Sequence, residues 1–300
     1  MFSGFSRSVI GASHIKRNII CQDSSGYELH ENYAIAVVAD GHGSKKHFRS
    51  NTGSQMAVDS AIETIRNFFS DYEKISRELP ENHELILKNI EKQVSARWRK
   101  KIMKHFSENP VTPDEKKPFT EEEFRKIPVE SYYGTTLVTA VIGEDFSLGF
   151  QIGDGTLVAV FEDGETVMIM DYEESNPANM TASMCNKNAP LLFNHFYIRK
   201  KKILAMFVST DGLYTSFGSD YDFLDYHTII AGQLYDIQVF ESTVVKNITK
   251  RTHFGTEDDI SLSCIYNEKL ASENMLILRN KTEENKRKAS ERKARMSSGR

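Results

Sequence analysis

Four aspartate positions stand where divalent-cation chemistry could be carried out. YAIAVVAD ends in Asp40-Gly41 and ILAMFVSTD ends in Asp211-Gly212, so two apolar runs each deliver a carboxylate at their last residue. The acidic cluster Glu257-Asp258-Asp259 comes immediately before a third apolar run, ISLSCIY, and Asp23 lies just before the first turn. A carboxylate at the end of a buried strand is costly unless it is hydrated, hydrogen-bonded or bound to a cation. Asp-Gly is also a common turn pair, and any one of these positions alone reads more readily as a turn. If the four converge, their mutual repulsion calls for cations between them. Hard oxygen donors of this kind suit Mg²⁺ or Mn²⁺ rather than zinc. Spacing alone leaves convergence open.

Thiol chemistry finds little support. Cys21, Cys185 and Cys264 are odd in number, widely separated and without a CxxC pair, which argues against a disulfide framework or a thiolate zinc site. The N-terminus lacks the apolar stretch of a signal peptide, and no apolar run reaches the roughly 20 residues needed to span a bilayer. A reduced, cytoplasmic setting is expected.

The elements that must position these residues are legible from periodicity. The chain to about Val38 reads as strands, with a turn around Ser24-Ser25-Gly26 and a strand buried on both faces from Ala34 to Ala39. From about Phe48 to Phe69 a helical stripe appears: Met56, Ala57, Ala61, Ile62, Ile65 and Phe69. A second helix is predicted over about Asn82–His105, with Leu85, Ile86, Ile90, Val94, Trp98 and Ile102 as its stripe. Asn109–Pro128 reads as a surface loop. Strands resume at Tyr132 and run to Met170, with hairpin turns expected near Gly143, Gly153-Asp154-Gly155 and Asp163-Gly164. Glu173–Leu192 reads as an excursion. Strands return at Phe196–Arg199 and Ile203–Ser209, then helices over Tyr221–Leu234 and Ile237–Lys250, then a final strand Ile260–Tyr266. The class is α+β, with helices covering antiparallel sheets.

Composition is compatible with one large domain. An apolar fraction of 39% supports a real core, and a net charge of −4 lacks the positive excess of a nucleic-acid binder. The charge is uneven: Arg279–Arg300 holds nine Lys/Arg against three Asp/Glu, or +6, which leaves about −10 on the rest. This segment is expected to be a solvated helix or a disordered tail. The division is therefore a domain over 1–270, with the excursion at about 173–195, and a charged tail over 271–300.

In its ordered motifs the chain resembles the type 2C, metal-dependent protein serine/threonine phosphatases. ICQDS at 20–24 resembles the first acidic motif of that family, and VVADGHGS at 37–44 its DGHG motif, the most specific of the set. YGTTLVTAVI at 133–142 is similar to the GTT strand and FQIGDGTLVAV at 150–160 to the GDS hairpin. STDGLY at 209–214 is similar to the SDG motif and GTEDDISLSCIY at 255–266 to the terminal DN motif. The resemblance implies a central sandwich of two antiparallel sheets with a pair of helices on each side. It also implies a dinuclear site for Mn²⁺ or Mg²⁺, with a possible weak third ion, that activates water for direct attack on phosphoserine or phosphothreonine in protein substrates. On this carry-over Asp40 bridges two metals and the Gly41 carbonyl binds one of them. Asp23 acts directly or through water, Asp211 and Asp258 complete the other shell, and His42 is the general acid. Motif alignment alone selects Asp258 between Glu257 and Asp259.

The chain departs from that pattern in three places. Gln22 replaces the acid before Asp23. Asn18 occupies the position of the phosphate-binding arginine, leaving Arg17 one residue out of register as its possible substitute. Asp154 lies in GDG rather than GDS as a candidate third-metal ligand, and Thr215 stands where its partner would be. Gln22 and Asn18 motivate a second reading, a pseudophosphatase that binds phosphoproteins without turnover. A third reading keeps the metals and takes small phosphorylated molecules. The remaining histidines, His14, His195 and His253 among them, show no metal-ligand spacing and are expected to serve surface or core packing.

Overall fold

The computed structural model describes residues 1–170 and 181–298. The chain opens with β1 (Phe2–Val9), α1 (Ala12–Lys16), β2 (Ser24–Leu29) and β3 (Tyr33–Ala39), followed by the long helices α2 (Ser50–Phe68) and α3 (Tyr72–Glu108). Three short helices, α4 (Pro113–Lys116), α5 (Glu121–Lys126) and α6 (Val129–Tyr132), lead into β4 (Leu137–Gly143), β5 (Phe146–Ile152), β6 (Thr156–Phe161) and β7 (Thr166–Met170). Next come β8 (Asn194–Arg199), β9 (Ile203–Ser209), α7 (Asp211–Tyr214), α8 (Asp220–Ala231) and α9 (Ile237–Phe254). The chain closes with β10 (Ile260–Asn267), α10 (Glu268–Glu273) and α11 (Met275–Ser298).

Ten strands form two five-stranded sheets, β1-β10-β9-β6-β7 and β2-β3-β4-β5-β8, with every pairing antiparallel. Alternation along β3 shows why its run is apolar throughout. Ala34, Ala36 and Val38 face the opposite sheet, where they meet Leu157, Ala159, Met206 and Val208. Tyr33, Ile35, Val37 and Ala39 face outward onto Ala57, Ala61, Ile65, Ile90, Val94 and Trp98 of α2 and α3. On the far side Val158, Val160, Leu204 and Phe207 pack against Phe223, Ile230, Phe240 and Val244 of α8 and α9. The result is the α+β class that the sequence pattern predicted, in the four-layer sandwich that the family resemblance implied. Among the described residues no helix is long and apolar enough to cross a membrane.

Several local expectations need correction. Ser24-Ser25-Gly26 is not a turn: it opens β2, and the turn falls after Leu29. The segment Asn109–Pro128 holds α4 and α5, each started by a reciprocal capping box, Thr112 with Glu115 and Thr120 with Glu123. Tyr132 ends a helix, and the strand begins at Leu137. The second helix begins ten residues before Asn82, at Tyr72, and Asn82 marks a kink two residues after Pro80. Gly153-Asp154-Gly155 is not a hairpin, because β5 and β6 belong to different sheets and this loop crosses between them. Of the excursion, 173–180 lies outside the described residues. The tail is helical as α11, and its first part belongs to the core: Leu278 is buried in the cluster that α8 and α9 form on the outer face of the β1-β10-β9-β6-β7 sheet.

Candidate active site

Strand ends bring the acidic motifs to one end of the sandwich. Asp40 follows β3 of one sheet and Asp211 follows β9 of the other, while Asp154 sits in the loop that joins the sheets. Carboxylate oxygens of Asp40, Asp154 and Asp211 lie within 4.8 Å of one another. Asp40 and Asp211 approach closely enough to share a hydrogen bond between their carboxyl groups. Among the described residues none of Asp23, Asp40, Asp154 and Asp211 forms an ion pair with a basic side chain. Burial, then the charges of Asp23 and Asp211, pushes the Asp40 carboxyl well above its usual range. Burial and then Asp154 push Asp211 up to about 6. Uncompensated acids held this close fit hard divalent cations, and the donor set is all oxygen.

Asp23 is buried, and its Oδ2 accepts a hydrogen bond from the Thr210 hydroxyl at 2.8 Å, which ties the first acidic motif to the residue before Asp211. Burial and Asp259 raise its pKa, and the Thr210 bond opposes them. The Asp40 backbone is fixed on the neighbouring strand: its N–H donates to Thr136 Oγ1 at 3.0 Å, and its carbonyl accepts from Thr135 Oγ1 and Thr136 N–H at 2.8 Å each. Both Asp-Gly pairs prove to be close backbone approaches. A Cβ on Gly41 would lie 2.5 Å from the Gln22 carbonyl oxygen, and one on Gly212 would lie 2.1 Å from that of Asp259. Neither glycine has a positive φ, unlike Gly153 at +107° and Gly164 at +79°.

Asp258 faces two neighbourhoods, and its charge contributes to the rise of Asp211. With Asp259 and His14 it forms a second set of ligand atoms within 4.8 Å of one another. Asp258 is half-exposed, whereas Asp259 is buried and accepts from the backbone N–H groups of Gly11 and Gln22, both at 2.7 Å. The DN motif has asparagine at the second position, so Asp259 adds a carboxylate next to the segment where Gln22 removes one. Gln22 serves its neighbours through its backbone: its carbonyl also accepts from Gly41 N–H at 3.2 Å and Ser54 Oγ at 2.6 Å. His14 was not singled out by spacing. It is more than 240 residues from Asp258, and only the fold brings them together.

Asp23, Asp40, Gly41, His14, Asp258, Asp259 and Arg17 line one cavity of about 260 Å³. Arg17 therefore sits at the site despite its register. It donates from Nε to the Ser13 carbonyl at 3.1 Å and from Nη2 to Ser13 Oγ at 3.2 Å. His42 is anchored by its N–H to the Gly134 carbonyl at 3.1 Å, with its ring 4.9 Å from that of His47. Burial, then His47 and Lys46, lowers its pKa to about 4, so the free ring is neutral at pH 7. Asp154 Oδ2 accepts from the Thr181 hydroxyl at 2.9 Å. Thr215 is exposed, and its hydroxyl donates to the Asp211 backbone carbonyl four residues back at 2.9 Å. Burial, then Asp259 and Asp23, pushes the Cys21 thiol far up, which holds it protonated.

The fold is shared with solved phosphatases of low sequence identity. Serine/threonine phosphatase Stp1 from Staphylococcus aureus superposes with a TM-score of 0.55 at 15% identity, covering 89% of this chain and 96% of its own. Serine-threonine phosphatase 2C from Toxoplasma gondii gives 0.55 at 14%, covering 88% and 94%. PppA from Pseudomonas aeruginosa gives 0.52 at 17%, covering 88% and 97%. No curated protein matches the chain by sequence. The model of the protein phosphatase 2C family matches residues 10–241, most of the domain, and the chain belongs to that family of phosphoprotein phosphatases.

Proposed function

We propose that the chain hydrolyses phosphoserine and phosphothreonine in proteins, with two divalent cations, Mn²⁺ or Mg²⁺, held at the carboxylate cluster. The observation that carries this reading is the Asp40–Asp154–Asp211 triad, whose oxygens lie within 4.8 Å without a basic partner among the described residues. When bound, the cations supply an activated water and positive charge that offsets the phosphoryl oxygens. Asp40, the Gly41 carbonyl, Asp23, Asp211 and Asp258 would hold the two ions, and Asp154 a weaker third. The backbone bonds to Asp40 and the Thr210 bond to Asp23 fix the donors before substrate arrives, which limits reorganisation.

Arg17 orients the phosphate in this reading, which is supported by its place in the lining of the same cavity and by its spending only two of five donors on Ser13. His42 gives its proton to the departing seryl or threonyl oxygen. Its ring is neutral at rest, so the dianionic phosphate must draw that proton in. His42→Ala is expected to lose far more activity on alkyl phosphates than on aryl phosphates with good leaving groups, and equal losses would remove the acid role. A reduced cytoplasmic setting suits three unpaired cysteines.

The deciding experiment is hydrolysis of phosphopeptides and p-nitrophenyl phosphate with Mn²⁺ or Mg²⁺. Wild type is expected to turn over only with metal, and Asp40→Asn to fall by about a hundredfold or more. Absence of turnover with any divalent ion would favour the phosphoprotein-binding reading. Faster hydrolysis of sugar phosphates or nucleotides than of phosphopeptides would favour small substrates.

A further inference from the structure

We propose that His14, Asp258 and Asp259 form a cation site with a nitrogen donor, one that takes a first-row transition-metal dication such as Mn²⁺, Co²⁺ or Zn²⁺ in preference to Mg²⁺. The three residues come from opposite ends of the chain, α1 and the loop before β10, and one ligand atom from each lies within 4.8 Å of the others. His14 Nδ1 stands 3.0 Å from Asp259 Oδ1, and His14 Nε2 stands 3.9 Å from Asp258 Oδ1. Two donors about 2.1 Å from one ion and at right angles to each other sit about 3.0 Å apart, which is the Nδ1–Oδ1 separation found here.

A second, independent observation points to a ligand. The His14 side chain is only 9% exposed, the Asp259 oxygen 3.0 Å from its Nδ1 lies outside hydrogen-bond geometry, and the ring lines the 260 Å³ cavity shared with Asp23 and Asp40. A buried ring nitrogen left without a hydrogen bond is costly, and a cation held between it and Asp259 removes that cost. The Asp259 carboxylate is already oriented by the Gly11 and Gln22 amides, and each of its oxygens keeps a further acceptor position. Imidazole binds first-row transition metals well, whereas Mg²⁺ favours carboxylate oxygen and water. The site rests on divalent ions entering this cavity, as the phosphatase reading requires. Asp258 is the residue the two proposals share.

The test is pulsed electron paramagnetic resonance on the Mn²⁺-loaded full-length protein, which detects ¹⁴N coupled to the ion. Wild type is expected to show histidine nitrogen coupling that persists in His42→Ala and disappears in His14→Gln. By equilibrium dialysis His14→Gln is expected to weaken Co²⁺ binding at one site by about tenfold or more while leaving Mg²⁺ binding unchanged. Wild type without nitrogen coupling overturns the proposal, whether or not the variant folds, and so does coupling retained in His14→Gln. Asp40→Asn separates the two readings, since nitrogen coupling without hydrolysis in that variant supports the site on its own. A wild type that hydrolyses phosphopeptides but lacks the coupling loses only this inference.

Discussion

Gly41 and Gly212 set how near the acidic motifs can come to each other. Adding a single methyl at either puts a carbon atom against a neighbouring carbonyl, 2.5 Å away for Gly41 and 2.1 Å for Gly212, and backbone on both sides has to move. Gly41→Ala and Gly212→Ala are each expected to lower unfolding free energy by about 1–3 kcal/mol and to reduce metal-dependent turnover, measured by urea denaturation and p-nitrophenyl phosphate hydrolysis. The aspartates beside these glycines were legible because an apolar run that ends in a charge is unusual. The reason for the glycines was not. Asp-Gly reads as a turn pair, while the constraint here comes from Gln22 and Asp259, which are distant in sequence. The same holds for His14, whose partners lie at the other end of the chain.

At the scale of elements, periodicity located most helices and strands but blurred faces and ends. Leu85 was assigned to the buried stripe of α3 and is 62% exposed, whereas Leu87 was passed over and is fully buried. Leu85 lies nine residues before Val94, about half a turn round the helix from it, whereas Leu87 lies seven before it, about two full turns and so on the same face. Leu87→Ala is therefore expected to cost about 2–5 kcal/mol, and Leu85→Ala no more than about 0.5 kcal/mol, by denaturant titration. Helix α8 carries a pH response. His227 is fully buried among Phe207, Phe223 and Tyr226, and burial lowers its pKa to about 4. The unfolded chain takes up this proton below about pH 6.5 and the folded chain does not, so stability is full above that pH and falls toward pH 4. The contribution is on the order of 3 kcal/mol. His227→Leu is expected to flatten the loss of stability between pH 6.5 and 4, and an unchanged slope in urea midpoints would remove His227 as its source.

Across the whole molecule, two sheets place their strand ends at one rim, and the loop through Asp154 joins them there. The stacking as a sandwich came from the family resemblance, while the elements and their α+β class were legible because each leaves a period, two for sheet faces and near 3.6 for the covering helices. The joining of the sheets was not, since Gly153-Asp154-Gly155 has the composition of a hairpin turn, and only the pairing of β6 with β9 shows that it crosses. This crossing places Asp154 beside Asp40 and Asp211, where acids without a basic partner among the described residues are held against one another. The most direct measurement is the melting temperature in chelator and in saturating Mn²⁺. Wild type is expected to gain about 2.7 kcal/mol of stability at a free ion concentration a hundredfold above its dissociation constant. Asp40→Asn, relieved of one repelling charge, should melt no lower than wild type in chelator and respond weakly to the ion. A wild-type melting temperature that neither Mn²⁺ nor Mg²⁺ moves would contradict the account.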